Sequence, residues 1–237
     1  MDHLFTRLAV ADIHHDLLRN IVSLNESENP FDDLSSNTEE WVLARQVESD
    51  TRPLPYHSHT PEIHRPFEEA LWLNAIHWQF KYRQTSRFSD GSFGVWYGSD
   101  TLQTSVHESA YHWFRGLLCD AGFEHEEVTI ERTLYAVACD AILLDFRSAA
   151  DNYPNLLHKT DYTFTQAIGT RIHREGHPGL LTFSARHQGG INYGVLNPNV
   201  LSNPRQQSQL SYRLHGQSIT VEEKSGVPCM EITIDAF

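Results

Sequence analysis

Ser86-Arg87-Phe88-Ser89-Asp90-Gly91-Ser92-Phe93-Gly94-Val95-Trp96-Tyr97-Gly98-Ser99-Asp100 is the stretch that decides the fold, because its character changes twice. A polar lead gives way to the β-rich run Phe93 to Gly98, bounded by Gly91 and Asp100, which reads as a strand. A helix is expected next, with Asp100 as its cap and Gln103 answering three residues later. On that helix Leu102, Val106, Ala110, Trp113 or Phe114, and Leu117 make an apolar stripe. Thr101, Thr104, Ser105, Glu108, Tyr111 and His112 make a second, polar and aromatic face. A strand-to-helix reversal of this kind brings Arg87, Tyr97 and Glu108 towards one cleft.

Downstream, Val128 to Leu144 is the longest β-rich region and reads as a central strand. Asp161 to Glu175 reads as a helix ended by Gly176, and Leu180 to Phe183 and Ile191 to Leu196 read as strands. The C-terminal stretches Tyr212 to Glu223 and Met230 to Ile234 alternate weakly, with Gly216 and Gly226 as turn points. Upstream, Leu4 to Leu24 looks helical and is followed by a polar loop from Asn25 to Thr38. Glu39 to Val47 and Glu68 to Phe80 also carry helical spacing, separated by the irregular segment Thr51 to Pro66. The second of these can run into an aromatic strand near Gln79 to Tyr82. The expected architecture is a single α/β (α+β) domain with a mixed sheet flanked by helices. Residues 1–78 are expected to form a mainly helical N-terminal extension, with residues 79–237 as the main domain.

Composition narrows the function. With 18 Lys+Arg against 31 Asp+Glu the formal net charge over 237 residues is −13. No basic stripe exists to neutralise phosphates, so direct nucleic-acid binding is not expected, whereas one or two placed guanidiniums suffice for a pyrophosphate. No apolar run reaches the length of a membrane span, and the first residues carry no signal-peptide pattern, so a cytoplasmic address is expected. Cys119, Cys139 and Cys229 fit no disulfide framework and read as buried thiols. Among 15 histidines, His57, His59 and His64 could converge, but they lack an acidic or Cys partner at metalloenzyme spacing, and the adjacent His14 and His15 point apart. No metal is expected. His112, four residues after Glu108, faces the same side as that carboxylate.

Ser184 and Arg186 leave the end of a second expected strand. As residue types alone, an arginine near a carboxylate is usually a surface ion pair and a serine after a strand usually bonds its own turn.

Taken together, however, three segments resemble the RES-domain family, named for its Arg, Glu and Ser. They are Ser86-Arg87-Phe88-Ser89, Gly94-Val95-Trp96-Tyr97-Gly98-Ser99-Asp100 and Thr104-Ser105-Val106-His107-Glu108. The later run Tyr162 to Gly169 followed by Gly179-Leu180-Leu181-Thr182-Phe183-Ser184-Ala185-Arg186 is similar to the family's closing pattern, so the resemblance spans residues 79–196. It implies a fold similar to ADP-ribosyltransferase toxins, NAD+ as substrate, and the toxin role of a toxin–antitoxin pair. It further implies a helix-turn-helix, Xre-like antitoxin as partner and no cofactor beyond NAD+, with inorganic phosphate open as co-substrate. Carried over residue by residue, the catalytic set is Arg87, Tyr97, Glu108 and Ser184. An upstream basic and aromatic pair falls on Lys81-Tyr82, where the family usually has Arg, so that Arg83 can take the role instead. Arg186 is the candidate contact for phosphate. The acceptor, whether water, phosphate or a protein side chain, stays open, as does a rival reading as a non-catalytic nucleotide- or peptide-binding module.

Overall fold

The computed structural model describes residues 2–23, 73–224 and 226–236. The loop expected at 25–38, the helix at 39–47 and the histidines at 57, 59 and 64 lie outside the described residues.

The scaffold is an eight-stranded sheet that is antiparallel except for one pair of neighbours. In chain order the strands of this sheet are β1 (Ala9–Val22), β4 (Trp96–Ser99), β5 (Val128–Asp145), β6 (Gly179–Phe183), β7 (Ile191–Val195), β8 (Leu201–His215), β9 (Ser218–Lys224) and β10 (Val227–Thr233). The short strands β2 (Thr85–Ser86) and β3 (Ser89–Asp90) form a separate hairpin ahead of β4. The spatial order is β1-β4-β7-β6-β5-β8-β9-β10, and β1 also pairs with β5, so that the first five strands close into a ring. β5 makes the closure possible by its length. One edge carries β1 from Val128's half to its end, while the other carries β8 first and then β6, in parallel, at Leu144 and Asp145. The seam between β1 and β4 is the thinnest, with the single pairing Leu18↔Ser99.

β1 corrects the sequence expectation. The helix expected from Leu4 does not form over the described residues: up to Ser23 only α1 (Asp2–Phe5) is helical, and Ala9 to Val22 pair in unbroken register with Asp145 to Arg132. Leu8, Leu17, Leu18 and Ile21 imitate a helical spacing, but Ile13, Leu17, Arg19 and Ile21 share the face of an alternating strand, and Ile13, Leu17 and Arg19 are buried there. Ala9 to Val22 are therefore part of the sheet.

Ile13, Leu17, Trp96, Val137, Cys139, Leu143, Tyr193 and Val195 pack inside the ring. A π-helical turn, Leu73–His77, runs into α2 (Trp78–Lys81) rather than into a strand, and the buried Trp96 indole donates to the Ala75 carbonyl at 2.7 Å. α3 (Leu102–Trp113) packs Val106, Ala110 and Trp113 on Leu210, Tyr212, Leu214 and Val221 of β8 and β9. It widens into a π-helical turn, Phe114–Leu118, and ends as α4 (Cys119–Ala121) at the left-handed Gly122. That extra residue per turn rotates the stripe, burying Leu118 and leaving Leu117, expected inside, 52% exposed. α5 (Thr163–Glu175) covers the other side with Ile168 and Ile172 beside Phe88 and Phe146. Cys139 is buried as expected, whereas Cys229 is exposed on β10, near the end of the sheet.

Candidate functional site

Thr101, not Asp100, caps α3. Its backbone is extended, its hydroxyl accepts the Thr104 amide at 3.2 Å, and the two threonine hydroxyls lie 2.8 Å apart. The Asp100 amide is taken by the Ile191 carbonyl at 3.0 Å, which ties the start of the helix to β7. Glu108 therefore stands two turns into a helix whose beginning is fixed against the strand that carries Asn192.

That arrangement builds a chain of polar side chains. Ser99 on β4 pairs with Asn192 on β7 and donates its hydroxyl to Asn192 Oδ1 at 2.9 Å, which turns Asn192 Nδ2 towards Glu108. Asn192 Nδ2 donates to Glu108 Oε1 at 2.5 Å, and Ser184 Oγ donates to the same oxygen at 2.6 Å. Ser184 Oγ in turn accepts the amides of Arg186 at 3.0 Å and His187 at 2.9 Å. With its acceptor side occupied by two amides, the hydroxyl proton is left for the carboxylate. Glu108 Oε2 takes no hydrogen bond among the described residues, so the carboxylate is oriented by one oxygen and available by the other.

The loop after β6 is held from a second direction. The imidazoles of His107 and His187 stack with centroids 4.9 Å apart, and His187 Nδ1 lies 3.0 Å from Thr104 Oγ1. Gly190 passes close enough that an added Cβ would meet Thr104 Oγ1 and, at 2.8 Å, His187 Nδ1. Burial, followed by the neighbouring His187, pulls the His107 pKa below 6.5.

On the opposite wall the Tyr97 hydroxyl accepts the Phe88 amide at 3.0 Å and lies 2.9 Å from Ser86 Oγ, and burial pushes its pKa up to about 12. Arg87 donates to the carbonyls of His158 at 2.9 Å and Leu156 at 3.3 Å, with its guanidinium 4.6 Å from the Tyr162 ring centre. The segment is pressed against α5 at Gly169, where a Cβ would overlap the Phe88 carbonyl, and Gln166 donates to the Ser86 carbonyl at 3.1 Å.

Between these walls lies a cavity of about 720 Å³. Arg87, Tyr97 and Glu108 all line it, and so does His112. Ser184 and Arg186 do not: they are 7% and 8% exposed and sit behind the wall, Ser184 on Glu108 and Arg186 on the Lys159 carbonyl, the Tyr162 hydroxyl at 3.3 Å and the face of Tyr111. Lys81, Tyr82 and Arg83 are exposed and outside the lining as well. Lys81 and Tyr82 follow Trp78, whose ring packs 4.2 Å from Tyr82, and Arg83 donates to the Ser92 carbonyl at 3.0 Å. Arg19 of β1 does line the cavity; it was not a sequence candidate because its segment reads as a helix. Asn192 was missed too, although a polar side chain between Ile191 and Tyr193 in a strand was a signal. Tyr162 appeared in the sequence pattern without a role and lines the cavity beside Arg87.

The residues that converge on Glu108 are drawn from segments that a known family pattern joins. The family model described as RES domain matches residues 56–215. No match is found among curated proteins. Among solved structures, the M.tuberculosis MbcT–MbcA toxin–antitoxin complex contains a chain aligned with this one at 11% identity and a TM-score of 0.49, over 89% of this chain and 90% of that one. A likeness of that degree decides nothing about activity or partners.

Proposed function

The chain belongs to the RES-domain family, and from that premise we propose that its cleft binds NAD+ and cleaves the bond between nicotinamide and ribose, making the protein the toxin of a toxin–antitoxin pair. The observation that carries this reading is Glu108, a carboxylate in the cavity wall fixed through one oxygen by Ser184 and Asn192. A site meant only to hold an anion gains nothing from such a group. A site that must stabilise a ribose passing through an oxocarbenium-like state needs one.

The step is a displacement at C1′ of the ribose. The C1′–N bond breaks, its electron pair leaves on nicotinamide, and an acceptor oxygen forms the new bond to C1′. Glu108 stabilises the positive charge that develops and orients the ribose. Arg87, braced by two carbonyls and the face of Tyr162, pairs with the pyrophosphate. Tyr97, whose hydroxyl is engaged by Ser86 and Phe88, offers its ring rather than a proton. The cavity volume is of the size that small-molecule and cofactor sites occupy. No helix among the described residues is long and apolar enough to cross a membrane, and the substrate is one that the cytoplasm supplies.

The antitoxin belongs to the same proposal: a helix-turn-helix, Xre-like protein that denies NAD+ access to the cleft. Induced expression of the chain alone in bacteria is expected to arrest growth while cellular NAD+ falls, and co-expression of the neighbouring antitoxin to restore both. Soluble, folded protein with unchanged NAD+ and normal growth would contradict the reading.

A further inference from the structure

We propose that His107 and His187 are positioning residues for Glu108: their stacked rings seat the turn at 184–190 on α3, hold the Ser184 hydroxyl on the carboxylate, and let it go when His107 becomes charged. The turn is closed on itself, with the Ser184 amide donating to the Gly190 carbonyl at 2.8 Å and the Gly190 amide to the His187 carbonyl at 3.1 Å. The amides of Arg186 and His187 both converge on Ser184 Oγ, so the hydroxyl that reaches Glu108 points wherever the turn as a whole is set.

One face of α3 sets it. Thr104, His107, Glu108 and Tyr111 follow the three- and four-residue spacing that places side chains above one another on a helix. Each of them meets the turn. Thr104 Oγ1 lies 3.0 Å from His187 Nδ1, the His107 ring stacks on the His187 ring within 10° of parallel, Glu108 takes the Ser184 hydroxyl at 2.6 Å, and the Tyr111 ring lies under the Arg186 guanidinium. Gly190 leaves room for this grip, since a Cβ there would overlap Thr104 Oγ1 and stand 2.8 Å from His187 Nδ1.

Within the stack, His107 Nδ1 is buried and has no hydrogen-bond partner, so a second proton on this ring would be an unpaired buried donor. The titratable groups that act on it are His187 from the turn, which opposes a charge, and Glu108 from its own helix, which favours one. Burial is the larger effect and holds the pKa below 6.5. Arg186, the other charged group of the turn, is directed to the Lys159 carbonyl and the Tyr162 hydroxyl. A charged His107 is relieved by turning towards water, which breaks the stack and removes the central contact between turn and helix.

The seating of the turn stands apart from NAD+ cleavage, and only its effect on turnover rests on that reading. The test follows hydrogen exchange of the full chain by mass spectrometry at about pH 7.5 and about pH 5.5, corrected for the intrinsic pH dependence of exchange. In wild type the amides of the turn are expected to be protected at the higher pH and to lose at least about 10-fold of that protection at the lower, while those of β5 keep theirs. His107→Phe, with a ring that cannot charge, should stay protected at both, and His107→Ala should be unprotected at both. In steady-state turnover of NAD+, wild-type kcat is expected to be about 10-fold lower at the lower pH with KM little changed, and that of His107→Phe less than about 3-fold lower, a ratio in which any uniform loss of activity cancels. Equal protection of the wild-type turn at the two pH values, or the same pH dependence in wild type and folded His107→Phe, would overturn the proposal. The first of these is read on wild type alone and decides even where a variant fails to fold. A turn that opens in acid in a protein with no NAD+ cleavage at either pH would support the positioning role of the stack while contradicting the NAD+ reading.

Discussion

Glu108 is fixed through one oxygen while the other takes no hydrogen bond among the described residues, and this division separates what its neighbours can do. Glu108→Gln keeps size but removes the charge, so turnover of NAD+ is expected to fall by about 10²-fold or more, roughly 2.7 kcal/mol of transition-state stabilisation. Ser184 hydrogen-bonds Glu108 and does not itself line the cavity. Ser184→Ala is therefore expected to lower kcat by about 10-fold while leaving KM for NAD+ near its wild-type value. Arg87→Ala should do the opposite, raising KM about 10-fold through loss of the proposed pyrophosphate contact. Steady-state kinetics of the three variants separate these effects, and a KM change dominating in Ser184→Ala would mean that Ser184 touches substrate directly. At this scale the sequence was informative in part. Arg87, Tyr97, Glu108 and Ser184 could be picked out by pattern, but a pattern cannot tell a residue that lines a cavity from one that holds its neighbour. Ser184 proved to be the second kind.

Among the elements, strands and helices with strong local signals formed where expected, as β5, β6, β7 and the Gly176-terminated α5 did, whereas β4 starts at Trp96 rather than at Phe93. Those that depend on distant partners were hidden. β8 begins with the polar run Leu201-Ser202-Asn203-Pro204-Arg205 and exists because β5 and β9 flank it. β1 exists because β5 offers it a whole edge, and neither partner is visible from within the segment. Leu17 of β1 is fully buried inside the ring, so Leu17→Ala should cost about 2–5 kcal/mol in urea unfolding. A helix of the expected kind, packed outside the sheet, would lose far less. The stacked histidines make the other element-level prediction. The His107 pKa is depressed below 6.5 in the fold, so as pH drops below that value the unfolded chain takes up a proton that the fold resists. Stability contributed by the neutral stack is present above pH 6.5, is lost as pH falls towards the folded pKa, and levels off below it. Thermal melts across about pH 5 to 8 should show this slope, and His107→Phe should flatten it while keeping the ring stack.

For the molecule as a whole, net charge and site charge have opposite signs. A chain of −13 carries a cavity with four arginines and one carboxylate, which global composition could not reveal because the arginines come from β1, the β2–β3 turn, the π-helical turn after α3, and β5. The closing of five strands into a ring gathers them, and the thin β1–β4 seam leaves room for the cavity beside Arg19 and Tyr97. The most direct test of the central claim is to incubate purified wild type and Glu108→Gln with NAD+, with and without inorganic phosphate, and identify the products by mass. The account predicts nicotinamide and an ADP-ribose product from wild type, with about a 10²-fold slower release from Glu108→Gln. Intact NAD+ after prolonged incubation with folded wild type, or equal rates from the two proteins, would contradict it.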